Sequence, residues 1–147
     1  TELLALTVEE QEESAAKKHI ELRTQLAGNV SLTADETMMI RLFENLLTNA
    51  IRYGREGGWV LVTLEADGET AKISVKDNGI GISKEHLPHI WDRFYQADPS
   101  RSDSRQGAGL GLPMVRWIVQ AHHGTVQVQS LEDMGTEFTV RLPLEQG

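Results

Sequence analysis

Four polar side chains are spaced so that together they could bind a nucleotide and its metal ion. Asn45, Asn49, Arg52 and Tyr53 stand at i, i+4, i+7 and i+8, which places them along one line of an α-helix. Two amide oxygens can bind a hard cation such as Mg²⁺, and the arginine and tyrosine add a positive charge and a flat ring. The alternative is a polar stripe on a solvated helix face.

The helix that carries this row is predicted at residues 35–53. Thr33 and Glu36 have the spacing of a capping box, which marks its start. Apolar residues recur every three or four positions, so one broad face is expected to be buried. These residues are Met39, Leu42, Phe43, Leu46, Leu47, Ala50 and Ile51.

A segment downstream, K-D-N-G-I-G-I at 76–82, offers groups for a base. Its glycines permit positive φ angles and let the backbone approach a flat ligand. Asp77, at the end of a predicted strand, can accept a hydrogen bond from the exocyclic amine of adenine. Guanine carries a carbonyl oxygen at that place, so a carboxylate at the floor of a base pocket would favour adenine over guanine. The alternative is an ordinary D-N-G turn.

A second glycine segment, Q-G-A-G-L-G-L at 106–112, opens a helix predicted at 112–122. The free amides and the dipole at a helix start form an anion site suited to phosphates. The segment differs from the G-x-G-x-x-G dinucleotide fingerprint and from a P-loop. It therefore predicts a phosphate site of another kind.

Five segments, in order along the chain, resemble the ATP-binding catalytic domain of bacterial two-component sensor histidine kinases, in the superfamily of gyrase, the ninety-kilodalton heat-shock chaperone and the MutL repair proteins. They are E-N-L-L-T-N-A-I-R-Y (44–53), D-N-G-I-G-I (77–82), W-D-R-F-Y-Q-A-D-P-S-R-S (91–102), G-A-G-L-G-L-P-M-V (107–115) and G-T-E-F-T-V-R-L-P (135–143). The resemblance implies one domain over residues 1–147. Its fold would be a Bergerat-type α/β (α+β) sandwich of two layers, with helices on one face of a mixed sheet.

The resemblance also implies roles for individual residues. Asn49 and Asn45 would bind Mg²⁺, Arg52 would offset phosphate charge, and the three together would form the catalytic set. Tyr53 would cover the adenine face, and Asp77 would select adenine. The other implied ATP-binding residues are Gly79, Gly81, Ile82, Arg101, Arg105, Gly107, Ala108, Gly109, Leu110, Gly111, Leu112 and Thr136.

A lid over ATP is implied at about residues 97–110. The composition of 97–106, A-D-P-S-R-S-D-S-R-Q, is typical of a mobile loop. Many family members carry threonine or serine where Ala108 stands, so the resemblance leaves only backbone contacts for phosphate at that position.

The chain before the central helix is predicted as an amphipathic helix at 2–18 and two strands at 19–26 and 30–32, which form a hairpin. His19 begins a superficial likeness to the phosphoacceptor motif, but Ile20 intervenes and Gln25 replaces the proline. Because only 25 residues separate His19 from Asn45, a two-helix phosphoacceptor hairpin has no room. His19 is expected to be an exposed strand residue.

Further strands are predicted at 59–66, 70–77, 125–131 and 136–144, the first two joined at the turn signal Asp67-Gly68. Ser83 is expected to cap a short helix. Trp91 and Phe94 are expected to pack at the base of the lid, and Gly124 to end the helix at 112–122 in the C′ position.

Composition restricts the function further. With 14 basic and 22 acidic residues, the chain has a net charge of −8. This charge argues against non-specific binding to nucleic acid or to anionic lipid. No cysteine is present, which excludes disulfides and thiolate metal sites. The sequence contains no apolar run of about 18 residues, so no membrane span is predicted.

The implied function is binding of Mg²⁺ and ATP and donation of the γ-phosphate to a histidine on a dimerisation and phosphoacceptor helical hairpin of the same full-length protein, with a response regulator acting indirectly. The implied setting is a cytoplasmic domain of a membrane-anchored bacterial sensor, monomeric in isolation. Asn45 stands where ATP-hydrolysing members carry a glutamate base, so little ATPase activity is expected. The alternatives are a serine kinase of the anti-sigma-factor type and a nucleotide-gated docking module without transfer.

Overall fold

The structure is a computed structural model that describes residues 1–28, 30, 34–91 and 111–144. Its helices are α1 Glu2–Glu10, α2 Glu12–Lys17, α3 Glu36–Arg52, a 3-10 helix Leu87–His89 and α4 Gly111–Ala121. Its strands are β1 Glu21–Leu26, β2 Trp59–Asp67, β3 Thr70–Asp77, β4 Thr125–Leu131 and β5 Gly135–Pro143.

The strands form one mixed sheet in the order β1-β2-β3-β5-β4. β1 and β2 are parallel, while the other neighbours are antiparallel. Parallel neighbours need a crossover connection, and α3 supplies it between β1 and β2. The predicted two-layer fold with helices on one face of a mixed sheet is confirmed.

The core lies between the sheet and the helices α1, α3 and α4. All seven apolar residues predicted to form the inner face of α3 are buried. α4 packs beside α3 through residues that are fully buried, and the sheet meets both helices with alternate residues of β2 and β5. These core residues are Val115, Ile118, Val119, Val60, Val62, Phe138 and Val140. Because the apolar face of α3 is buried in the core, the side of the helix that carries the polar row has a fixed orientation relative to the sheet.

The predicted hairpin between β1 and residues 30–32 is wrong. β1 pairs with β2 instead. Val30 lies outside any strand, and its amide donates to the Thr1 hydroxyl at 3.0 Å. Residues 31–32 lie outside the described residues. The alternation along β1 correctly indicated a strand but carried no information about its partner.

The helix predicted at 2–18 is divided at Gln11 into α1 and α2. His19 is exposed, as expected, but lies before β1 and has a φ of 55°. The amide of His19 donates to Ala16 O at 3.0 Å, and the amide of Ile20 donates to Ala15 O at 2.9 Å. These two bonds form a Schellman motif, so His19 is the C′ residue that ends α2.

The N-terminal cap of α3 also differs from the prediction. Asp35 is the N-cap, and its carboxylate accepts from the Met38 amide at 3.0 Å. The predicted capping box began two residues earlier, at Thr33, which lies outside the described residues. An aspartate serves as well as a threonine at this position, and Asp35 directly precedes the first residue of α3.

The end of α4 uses a histidine where a glycine was predicted. His123 has the left-handed φ, at 61°, and the amides of His123 and Gly124 donate to Gln120 O at 3.1 Å and Val119 O at 2.9 Å. His123 is therefore the C′ residue. Gly124 has a different reason to be glycine, because a Cβ there would meet Arg141 O.

The short helix predicted after Ser83 is not formed as such. The Ser83 carbonyl accepts from the amides of His86 and Leu87, each at 3.1 Å, in a turn that leads to the 3-10 helix. The buried Ser83 hydroxyl has no hydrogen-bond partner within the part of the chain that the structure describes. The hydroxyl therefore does not act as a cap.

Candidate functional site

Asp77 is a buried carboxylate at the end of the central strand β3. It pairs with Val60 of β2 and with Thr136 of β5, and it is only 6% exposed. Burial raises the pKa of Asp77 from 3.8 to about 6, against the effect of hydrogen bonds from the backbone of Gly79 and Thr136. Such a group is a strong acceptor held in a place from which water is largely excluded.

The loop after Asp77 is tied to the carboxyl end of α3. The Gly79 amide donates to Asp77 Oδ1 at 2.8 Å, and the Ile80 amide donates to Tyr53 O at 3.1 Å. A Cβ on Gly79 would meet Tyr53 O and would lie 2.9 Å from Asp77 Oδ1. Gly81 has a φ of +70°, and a Cβ there would meet Leu131 O. Both glycines are therefore required by the local geometry.

The polar row lies on α3 next to this loop. Asn45, Asn49 and Arg52 are half-buried on the helix, and Tyr53 is its C-cap residue. The Arg52 guanidinium lies 5.6 Å from the centroid of the Tyr53 ring. Because Tyr53 also holds the loop, the structure brings the last residues of the row, Arg52 and Tyr53, next to the loop that follows Asp77.

The two asparagines fit a hard cation in type and spacing. They are one turn apart on α3 and are neither fully buried nor fully exposed, and amide oxygens are suitable ligands for Mg²⁺. Among the described residues, no group of three or more His, Cys, Asp or Glu is arranged to hold a metal ion. A cation at this place would therefore depend on the amides and on phosphate oxygens.

Ser130 is a site residue that the sequence did not reveal. Its hydroxyl accepts from the Ile82 amide at 2.6 Å and donates to Gly135 O at 3.0 Å. The Thr136 hydroxyl lies 2.8 Å from it. Ser130 thus ties β4 and β5 to the loop that bears Ile82. Only the pairing of β4 with β5 places Ser130 here, so no local sequence signal could have indicated it.

Lys18 is a second residue that the sequence did not reveal. Its Nζ donates to three carbonyl oxygens at the end of α3: Ile51 at 3.0 Å, Arg52 at 2.9 Å and Gly54 at 3.1 Å. A cation at a helix carboxyl end is favoured by the helix dipole. Lys18 therefore fixes the end of the helix from which Tyr53 projects.

The remaining predicted residues fall into two groups. Gly111 begins α4, and half-buried Leu112 follows it. The lid at about 97–110 lies outside the described residues, as do Phe94, Arg101, Arg105, Gly107, Ala108, Gly109 and Leu110. Trp91 packs edge-to-face on Phe138 of β5, with ring centroids 6.0 Å apart.

A cavity of about 300 Å³ lies elsewhere, between α1 and the first half of α3. Its lining includes Leu4, Met39, Phe43, Leu64 and Ile73. It is mainly apolar, and none of the predicted ATP-binding residues contributes to the lining. The cavity is therefore separate from the site around Asp77.

The mixed sheet, its helix layer and the buried acid beside a glycine loop define an α/β sandwich of the nucleotide-binding class. The family model for histidine kinase-, DNA gyrase B- and HSP90-like ATPases matches residues 34–146. The chain belongs to this ATP-binding family, and the resemblance drawn from the five motifs is confirmed.

Individual relatives agree with the family match. Sensor histidine kinase YclK of Bacillus subtilis is 40% identical over 144 residues, covering 97% of this chain and 30% of YclK. The structure of the mycobacterial sensor histidine kinase MprB has a TM-score of 0.84 at 26% identity, covering 100% of this chain and 95% of that chain. Full-length ShkA, in complex with AMPPNP, has a TM-score of 0.83 at 30% identity, covering 99% of this chain and 30% of that chain.

The chain spans about 30% of the length of YclK, and 32% of the length of the sensor histidine kinase RppB and of the sensor-like histidine kinase SenX3. Among the described residues, no helix is both long and apolar enough to cross a membrane.

Proposed function

We propose that this chain binds ATP with Mg²⁺ and donates the γ-phosphate to a histidine on a separate phosphoacceptor hairpin. The observation that carries the proposal is the Asp77 carboxylate. It is buried, paired with Thr136 and bonded to the Gly79 amide, and it lies beside the end of α3. A carboxylate in that setting favours a ligand with an N–H donor, as the exocyclic amine of adenine is.

In this proposal Asp77 selects adenine, Tyr53 covers one face of the base, and Thr136 lies beside it. Arg52 offsets phosphate charge from the end of α3. The glycines Gly79 and Gly81 keep the loop close enough for Ile82 and the backbone to border the base. The residues at 107–112, of which only Gly111 and Leu112 belong to the described part of the chain, are proposed for the phosphates.

Asn49, with Asn45 one turn before it, is proposed to hold Mg²⁺ through its amide oxygen. When bound, the ion would neutralise part of the charge on the phosphate oxygens. Asn45 carries an amide, which cannot act as a general base. Transfer would therefore rest on positioning and charge neutralisation, and water would be activated poorly.

The bond changes of the proposed transfer can be stated simply. The bond between the γ-phosphorus and its bridging oxygen breaks, and ADP leaves with the electron pair. A phosphorus–nitrogen bond forms at the acceptor imidazole. In this chain His19 ends α2 at an exposed position, and the acceptor is proposed to lie on another segment of the full-length protein.

The setting of the whole protein is also a proposal. Its support is that relatives such as YclK, of which the chain covers 30%, are sensor histidine kinases. We infer a catalytic domain over residues 1–147 with an ATP lid at about 97–110, monomeric in isolation. A membrane-anchored bacterial sensor, with this domain on the cytoplasmic side and a response regulator downstream, is the proposed context.

The binding part is tested by calorimetric titration of the chain with ATP and Mg²⁺, and then with GTP. Asp77→Asn removes the charged acceptor and is expected to weaken ATP by about 10- to 100-fold, or roughly 1.5–3 kcal/mol. GTP is expected to bind the wild type much more weakly than ATP. Equal binding of the two nucleotides would contradict the role given to Asp77.

The transfer part is tested with labelled ATP and a purified phosphoacceptor hairpin from a sensor histidine kinase. Acid-labile, alkali-stable label on the hairpin is the expected result, with Asn49→Ala abolishing it. Label on a serine of an anti-anti-sigma protein would favour the serine-kinase alternative. Nucleotide binding without transfer to either acceptor would favour the docking module.

A further inference from the structure

Arg55 joins three segments that surround the candidate adenine site. It lies in the turn between α3 and β2, and its Nε donates to Asn78 O at 3.2 Å and to Gly79 O at 3.3 Å. Its Nη2 donates to Asp133 O at 2.6 Å and lies 3.7 Å from the Asp133 carboxylate. One guanidinium therefore links the end of α3, the D-N-G loop and the turn between β4 and β5.

The peptide unit between Asn78 and Gly79 connects Arg55 to Asp77. Its carbonyl oxygen accepts from Arg55, and its amide donates to Asp77 Oδ1 at 2.8 Å. Because a peptide unit is planar, fixing its oxygen also fixes the direction of its N–H. A cation on the oxygen side polarises the unit and strengthens the donor on the other side.

On the basis of the proposed function, we propose that Arg55 is a positioning residue for adenine recognition. Through the peptide between Asn78 and Gly79 it holds the Gly79 amide on Asp77. This keeps the carboxylate ionised and aimed at the amine of the base. The role needs the fork of donors that only arginine offers.

The loop has other anchors, so a variant of Arg55 is expected to fold. Asn78 Oδ1 accepts from the Trp59 amide at 2.9 Å, and the Ile80 carbonyl accepts from the Asp133 amide at 2.7 Å. These contacts hold the path of the loop. Arg55 adds control over the orientation of a single peptide unit.

The decisive measurement is the titration of Asp77 in the absence of nucleotide. The chain is labelled with carbon-13 at its aspartate carboxyls, and NMR follows the resonance of the Asp77 carboxyl as the pH is changed. The resonance that is missing from the spectrum of Asp77→Asn is assigned to Asp77. In Arg55→Gln the pH at the midpoint of the Asp77 titration is expected to rise by about 0.5 pH unit or more. The reason is that the hydrogen bond from the Gly79 amide, which favours the charged carboxylate, is weakened. A residue that acts only through stability would leave this midpoint unchanged.

The second measurement is calorimetric titration with ATP and Mg²⁺ at pH 7.5. Arg55→Gln is expected to weaken binding about tenfold, in line with the loss of a hydrogen bond to a charged group. Arg55→Lys keeps the charge without the fork and is expected to fall between wild type and Arg55→Gln. Arg41→Gln, an exposed change of the same charge on α3, is the matched control and is expected to bind as wild type does.

A further variant separates the carbonyl contacts from the ion pair. Asp133 has a φ of 66°, which asparagine tolerates, so Asp133→Asn removes only the exposed charge. Its affinity for ATP is expected to stay within about twofold of wild type. An unchanged Asp77 midpoint in Arg55→Gln, or an equal loss in Asp133→Asn, would overturn the proposal. If the wild type itself bound no ATP, the proposed function would fail, while the titration would still report on Arg55.

Discussion

Replacing Asp77 by asparagine removes an ionisation from the floor of the site while keeping an acceptor for the Gly79 amide. The wild-type carboxyl is 6% exposed, and burial raises its pKa from 3.8 to about 6. A difference of about 2 units corresponds to about 3 kcal/mol between the two protonation states. The ionised carboxylate therefore lowers the stability of the ligand-free protein at neutral pH by about that amount.

The sign of the pH dependence follows from the raised pKa. The stabilisation by the protonated carboxyl is fully present below pH 3.8 and is lost as the pH rises through about 6. Asparagine does not titrate, and the other groups are common to both proteins. The free energy of unfolding of Asp77→Asn, relative to wild type, should therefore increase with pH. The total change in this difference is roughly 3 kcal/mol, and about 2 kcal/mol of it is expected between pH 4.5 and pH 7.5.

Urea unfolding of both proteins at a series of pH values, without nucleotide, gives this difference directly. A difference that stays constant from pH 4.5 to 7.5 would refute the assignment of a buried carboxyl group with a raised pKa at Asp77. The same wild-type protein should lose affinity for ATP as the pH falls below about 6, because protonation removes the charged acceptor. The ionised Asp77 would then strengthen ATP binding while it lowers the stability of the ligand-free protein.

Three further predictions concern the supports of the site. Lys18→Met should lower the free energy of unfolding by about 1–2 kcal/mol, since it leaves three carbonyls at the end of α3 without the ammonium. The control is Lys17→Met at an exposed neighbouring position, which should change the free energy of unfolding little. His123→Gly should raise it by about 0.5–1 kcal/mol, because φ is 61° there, and an unchanged thermal midpoint would contradict this. Gly81→Ala should cost about 2–4 kcal/mol and abolish ATP binding, through positive φ and contact with Leu131 O; ATP binding by a folded Gly81→Ala would disprove the requirement.

The sequence was sufficient where the pattern is local. The apolar spacing of α3 predicted its buried face, and all seven predicted residues are buried. The alternation on both sides of Asp67-Gly68 predicted the β2–β3 hairpin, which places Asp77 at the end of a strand. Such patterns are determined within a few residues, because the helix and strand periods decide which side chains share a face.

Local patterns were insufficient at the ends of two helices. Asp35 caps α3 although Thr33 had the spacing of a capping box, and His123 adopts the left-handed conformation although Gly124 follows it. In the second case the glycine is needed for close packing against Arg141. At the end of α4 a tertiary contact therefore accounts for the glycine that the sequence pattern assigned to the helix end.

What the sequence alone determined is the set of groups offered to a nucleotide: the row on α3, the acid of the D-N-G loop and the glycines that allow close approach. Only the tertiary structure decided that β1 lies parallel to β2, that Thr136 stands opposite Asp77, and that Lys18 and Arg55 fix the end of α3 and the loop. The physical reason is that periodicity records which face of an element is buried. The partner of that face depends on contacts between residues far apart in the chain.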